Sequence, residues 1–253
     1  NGVVVTESSF AFYDIAARIY GYETTKVPLT GLTTDLAKIA AAIDDRTRIV
    51  FLNNPLNPTG TIYHQEEFEG FIASLPPEVL VVVDEAYAEF AESETFPATL
   101  DVIDKYPVLV LRTFSKAYGL AGLRVGYGIG DAELVSFLER TKQPFSINLI
   151  AILAARAALK DEARLAAVLA NNRAAKSFYY DSLKTLKLEY TPTEANFILV
   201  RLGMRAEEIT KKLFERKVLV RFMGAYGLPD SIRISFGTPY ENTRCIEELK
   251  RLL

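Results

Sequence analysis

Four short runs of Val, Ile, Leu and Phe, at residues 3–5, 49–52, 79–83 and 108–111, show almost no polar alternation. A strand with one face in water alternates apolar and polar residues. Runs without alternation fit strands buried on both faces, as in a parallel sheet. The segments between them have helical spacing: 14–20, then 36–43 behind a capping Thr34, then 66–75, which Pro76-Pro77 stops. Strands alternating with helices predict an α/β fold, a mostly parallel sheet with helices on both faces. The pattern changes further on. Alanine-rich helices are expected over 131–141, 149–160 and 161–186, and further helices over 206–217 and 241–253. Strands are expected at 196–200, 218–221 and 231–235. We therefore expect a large domain over 1–160, and a linker helix with a small C-terminal α+β domain over 161–253.

Composition narrows the function classes. With 49% hydrophobic residues, the chain can bury a core and is not a disordered segment. The formal net charge is −3, which gives no electrostatic reason to expect nucleic acid or a membrane surface as a partner. Cys245 is the one cysteine and His64 the one histidine, so no intrachain disulfide and no Cys/His metal cluster can form. Cys245 reads as packing in the last helix, and His64 as a surface helix start. The longest apolar runs are too short to span a bilayer. No secretory leader is read at Asn1. A soluble protein of a reducing compartment, the cytoplasm, is the expectation.

Each apolar run ends in polar residues. The second leads into Asn57-Pro58-Thr59-Gly60, the third into Asp84-Glu85-Ala86-Tyr87, and the fourth into Arg112-Thr113-Phe114-Ser115-Lys116. In an open α/β sheet the carboxyl ends of the strands form the ligand crevice, so Asn57, Asp84, Tyr87, Ser115 and Lys116 can converge. A lysine in a partly desolvated pocket can act as a nucleophilic amine. An aspartate leaving a buried strand can hold the positive charge of a ring nitrogen. Hydroxyls and an arginine can hold a phosphate. Pyridoxal phosphate has the matching aldehyde, pyridine nitrogen and phosphate. Each feature alone has a plainer reading: a solvated lysine, a helix cap at Asp84-Glu85, or a simple turn at Asn57–Gly60. The aromatic stretch Phe12, Tyr13, Tyr20 and Tyr22 reads as core.

In order and spacing, Asn57-Pro58-Thr59-Gly60, Asp84-Glu85-Ala86-Tyr87, Ser115-Lys116 and Gly122-Leu123-Arg124 resemble the fold-type-I pyridoxal-phosphate-dependent aminotransferases, most closely the histidinol-phosphate group. Leu219-Val220-Arg221 and Ile232-Arg233-Ile234-Ser235-Phe236-Gly237-Thr238 look like that group's substrate-anion elements. The resemblance implies that Lys116 forms the Schiff base and moves the proton between substrate Cα and cofactor. It implies that Asp84 pairs with the pyridine nitrogen, and that Asn57 and Tyr87 bond the cofactor's 3′ oxygen. Thr113, Ser115 and Arg124 would take the phosphate, and Phe10 would stack on the ring. Arg221 and Arg233 would receive the acidic end of the substrate, with Asn57 beside them. The Asn57–Pro58 bond is expected to be cis.

The resemblance further implies a homodimer, a small amino donor and a 2-oxo acid acceptor, with histidinol phosphate and 2-oxoglutarate/glutamate as the expected pair. It also implies roughly 100 further residues in relatives before the position of Asn1, a domain-sized amount. The chain is thus expected to be truncated. The alternatives are a phosphoamino-acid decarboxylase or aromatic aminotransferase of the same fold, a non-catalytic regulatory relative, or an inactive fragment.

Overall fold

The structure, a computed structural model, describes residues 1–253. Six strands form the larger sheet: β1 (Gly2–Thr6), β2 (Glu23–Val27), β3 (Thr47–Asn53), β4 (Leu80–Asp84), β5 (Val108–Thr113) and β6 (Gly126–Gly130). Their order is β2-β1-β3-β4-β5-β6, and every pairing is parallel except β5 with β6. This is the α/β architecture expected from the sequence. The middle strands read as unbroken apolar runs because both faces are covered. Val50, Leu52, Val81, Val83 and Val110 pack against α2 (Leu36–Ala41) and α3 (Gln65–Ala73) through Leu36, Ile39, Phe68, Phe71 and Ile72. On the other face Val3, Val5 and Phe51 pack under Tyr13 and Ala17 of α1 (Phe12–Ile19).

Two strands of this sheet escape the apolar-run criterion for opposite reasons. Strand β2 (Glu-Thr-Thr-Lys-Val) is an edge, and only Val27 is buried. Strand β6 (Gly-Tyr-Gly-Ile-Gly) has three glycines, which normally argue against a strand. They are there for close approach. A Cβ on Gly126 would lie 2.8 Å from the Arg112 carbonyl oxygen.

Beyond β6 the chain forms α4 (Ala132–Thr141), α5 (Leu149–Ala158) and the 24-residue α6 (Glu162–Thr185). A second, antiparallel sheet follows, built from β7 (Tyr190–Thr191), β8 (Phe197–Arg201), β9 (Arg221–Phe222) and β10 (Ser231–Ser235) in the order β7-β8-β10-β9. Its core is closed by Tyr179 and Leu183 of α6, Ile209 and Leu213 of α7 (Ala206–Glu215), and Cys245 and Leu249 of α8 (Pro239–Leu252). No helix is long and apolar enough to cross a membrane.

The two sheets meet at a set of interlocking contacts. Phe197 of β8 packs with Tyr87, Phe90 and Ala117 from the larger sheet's loops. The Glu194 N–H donates to the Gly60 carbonyl (2.8 Å), and the Glu194 carboxylate accepts the N–H groups of Glu92 (2.5 Å) and Ser93 (3.2 Å). The loop that carries Asn57 is thereby tied to the strand beside β10. The cis bond of this loop is at Asn54–Pro55, not at Asn57–Pro58 as expected. Asn54 is the asparagine that anchors the reversal. Its side chain pairs with the Tyr63 backbone through Nδ2 to O (3.2 Å) and N to Oδ1 (3.1 Å), leaving Asn57 free to face the opposite sheet.

Candidate active site

The carboxyl ends of β3 and β4 are level, and β5 runs on past them to Thr113. Asn53 lies beside Asp84, and Asp84 beside Leu111. Strand β10 approaches from the second sheet. Between them is a cavity of about 510 Å³ lined by Phe10, Asn57, Asp84, Tyr87, Thr113, Ser115, Lys116, Arg124, Arg221 and Arg233. All ten residues singled out in the sequence therefore face one space. Asn53, Arg112 and Tyr226, which were not singled out, line it too.

Asp84 ends β4, whose central residues Val81, Val82 and Val83 are buried. Burial pushes its carboxyl above the ordinary range, against three opposing influences: a hydrogen bond from Tyr13, one from the Ala86 N–H, and the Lys116 charge. The Tyr13 hydroxyl donates to Oδ2 at 2.5 Å and the Ala86 N–H to Oδ1 at 3.0 Å. Neither donor carries a full charge. A buried carboxylate without a bonded cation is costly, on the order of several kcal/mol. The cavity therefore favours a ligand that brings a cation, such as a protonated ring nitrogen, to this point.

Lys116 follows β5 by three residues. Its Nζ stands 5.1 Å from the centroid of the Tyr87 ring, an orientation that holds the amine over an aromatic face. Beside it the Ser115 N–H donates to the Thr113 hydroxyl oxygen (3.1 Å). Arg124 adopts a left-handed conformation (φ 54°), and its guanidinium makes one bond, to the Ala121 carbonyl at 2.8 Å. It keeps N–H groups for an anion.

Arg233 lies over the Phe197 ring at 4.9 Å and donates to the Asn57 side-chain oxygen. Its Nε–H is buried without a partner. Arg221 stacks on Tyr226 at 6.0 Å. The two arginines, one from β9 and one from β10, form a second anion-receiving end. Arg112 is different. Its Nε and Nη2 both donate to Oε2 of Glu85 (2.9 and 2.7 Å), and the Thr99 hydroxyl donates to Oε1 of this fully buried glutamate. Arg112 lines the cavity with its charge already matched.

The donor set fits pyridoxal phosphate. Arg124, Ser115 and Thr113 suit its phosphate, Lys116 its aldehyde, Asp84 its ring nitrogen, and Phe10 and Tyr87 its ring and ring oxygen. Sequence reading missed Tyr13 and Asn53. Tyr13 lies in an aromatic-rich stretch that reads as packing. Its bond to Asp84 joins residues 71 positions apart, so no local spacing betrays it.

The comparisons agree with this architecture. The histidinol-phosphate aminotransferase of Moorella thermoacetica is 43% identical over 253 residues, covering 99% of this chain and 66% of that protein. That of Akkermansia muciniphila is 44% identical, covering 99% and 69%. The chain thus spans about two thirds of the length of these curated relatives. The crystal structure of the histidinol-phosphate aminotransferase of Sinorhizobium meliloti, in complex with pyridoxal 5′-phosphate, superposes with a TM-score of 0.92. It is 29% identical and covers all of this chain and 72% of that one. The family described as aminotransferase class I and II matches residues 1–249, which include both sheets and the cavity between them. The chain belongs to the aminotransferase class I and II family.

Proposed function

We propose that the protein is a pyridoxal-phosphate-dependent aminotransferase that moves the amino group of histidinol phosphate to 2-oxoglutarate. The observation that carries this is the placement of Asp84 and Lys116, with two separate cationic ends, around one cavity. The relatives named above and the cofactor in the Sinorhizobium meliloti structure support it. Bound pyridoxal phosphate supplies an electron sink that acidifies the substrate Cα–H. Asp84 holds the ring nitrogen's proton in place, and Asn57 and Tyr87 fix the ring oxygen. Thr113, Ser115 and Arg124 anchor the phosphate. The Lys116 amine is the group within the cavity that can take the substrate Cα proton and would pass it to the cofactor's aldehyde carbon. Arg221 and Arg233 orient the substrate by its acidic end, so that the Cα–H faces Lys116.

A charge-assisted hydrogen bond contributes about 1.5–3 kcal/mol. We therefore expect Arg233→Ala to raise KM for histidinol phosphate on the order of 10- to 100-fold. Glutamate production from histidinol phosphate and 2-oxoglutarate, followed beside CO2 release from phosphorylated amino acids, tests the assignment. Glutamate without CO2 supports transamination. CO2 without glutamate replaces it with decarboxylation. We also infer a homodimer. Ile15 and Ile19 of α1 and Leu149, Ile150 and Leu153 of α5 are exposed, and such an interface would cover them.

A further inference from the structure

Tyr13 is buried, and its side chain makes four contacts that meet at the cavity. Its ring stacks on Phe51 (4.6 Å, 5°) and stands edge-on to Phe10 (5.6 Å, 83°). Its oxygen accepts the Asn53 Nδ2–H at 2.7 Å. An amide nitrogen only donates, so the hydroxyl's single hydrogen is left for Asp84, and the 2.5 Å bond to Oδ2 uses it. We propose that Tyr13, oriented by Asn53, is a positioning residue that fixes Asp84 and Phe10 together, so that one side chain sets both the edge and the face contact of the ligand ring.

The proposal rests on the pyridoxal-phosphate reading above. With Oδ2 held by Tyr13 and Oδ1 by the Ala86 N–H, the carboxylate cannot rotate, and its remaining lone pairs point in fixed directions. The groups facing Asp84 are Tyr13 from α1, Asn53 beside it on β3, Lys116 after β5, and the Ala86 N–H with nearby Tyr87 from its own loop. Among these only Tyr13 donates a side-chain hydrogen bond to it. Removing that donor makes Asp84 a stronger base, and a stronger base draws the proton from the ring nitrogen. Burial and the adjacent Asp84 charge both push the Tyr13 hydroxyl well above its usual range, so it remains a donor throughout the working pH range.

Two variants separate the two contacts. Tyr13→Phe keeps the ring against Phe10 and removes the hydroxyl. Tyr13→Leu removes both. Pyridoxal phosphate labelled with ¹⁵N in the ring is titrated into each protein, and its dissociation constant and ¹⁵N resonance are recorded. Tyr13→Phe should weaken binding about tenfold and move the resonance toward the unprotonated position. Tyr13→Leu should weaken binding further. An unmoved resonance in Tyr13→Phe, with or without weaker binding, overturns the edge role. Equal binding by the two variants overturns the face role. A folded wild-type protein that binds no pyridoxal phosphate refutes the cofactor reading itself, which is a separate outcome. If Tyr13→Phe does not fold, Asn53→Leu, which frees the Tyr13 oxygen to turn away, must move the resonance in the same direction.

Discussion

Asp84→Asn should slow transamination on the order of 10²- to 10³-fold, and it should raise the melting temperature of the ligand-free protein at neutral pH. The two effects have one cause. Asparagine keeps the shape of the side chain but has no negative charge to hold a proton on a ring nitrogen, so the electron sink is lost. The stability effect follows from burial, which lifts the folded-state carboxyl above its unfolded value. A group shifted in that direction contributes stability below its unfolded pKa. That contribution is lost as pH rises through the folded pKa. At neutral pH the carboxylate is therefore a burden on the empty fold, and asparagine removes it. The gain in melting temperature should shrink toward zero as pH falls below the ordinary carboxylate range. Calorimetry across pH, set beside the turnover of each variant, reads both. A variant less stable than the wild type at neutral pH contradicts the electrostatic account.

Gly60→Ala should cost about 2–5 kcal/mol of stability and raise KM for the amino donor. Gly60 has φ +78°, where an L side chain is strained by roughly 1–2 kcal/mol. Its Cβ would also fall 2.0 Å from the Thr193 hydroxyl oxygen and 2.7 Å from the Thr193 Cβ, and overpacking of this kind costs about 1–3 kcal/mol. Thr193 is buried, and its hydroxyl oxygen accepts the Ala195 N–H at 3.0 Å, so it cannot simply turn away. The displaced parts are functional. Gly60 shares its loop with Asn57, and Thr193 leads into β8, the neighbour of the strand bearing Arg233. A urea midpoint measures the stability loss. Adding Thr193→Gly should recover the clash component and leave the backbone component. No recovery would show that the two sheets do not press on each other here.

The parts of this architecture legible in the sequence are those where one local pattern has one physical cause. Buried parallel strands must be apolar on both faces, so β3, β4 and β5 stand out as runs, and the polar residues that end them face the crevice. Edge strands obey no such rule. Strand β2 is polar because one side has no neighbour, and β6 is glycine-rich because it crowds the β5 backbone. The family pattern named ten of the residues that line the cavity, but it is silent about what holds them. Tyr13 supports Asp84 from a helix far away in sequence. Glu85, unassigned by the sequence, turns out to neutralise Arg112 and so leaves Arg124, Arg221 and Arg233 as the cavity's available arginines. Contacts of this type depend on register and helix docking, which residue spacing does not encode. The two asparagine–proline bonds make the same point. Asn54 pairs with the Tyr63 backbone, whereas Asn57 accepts a hydrogen bond from Arg233 across the cavity, and neither partner is a sequence neighbour.

The central claim is that one amine and one carboxylate, from neighbouring strand ends, grip a single ring. Borohydride reduction of the protein in the presence of pyridoxal phosphate, followed by peptide mapping, tests it directly. The expected result is saturable labelling of Lys116 alone, weakened in Asp84→Asn. A folded protein labelled evenly over its surface lysines, or not at all at Lys116, would contradict it.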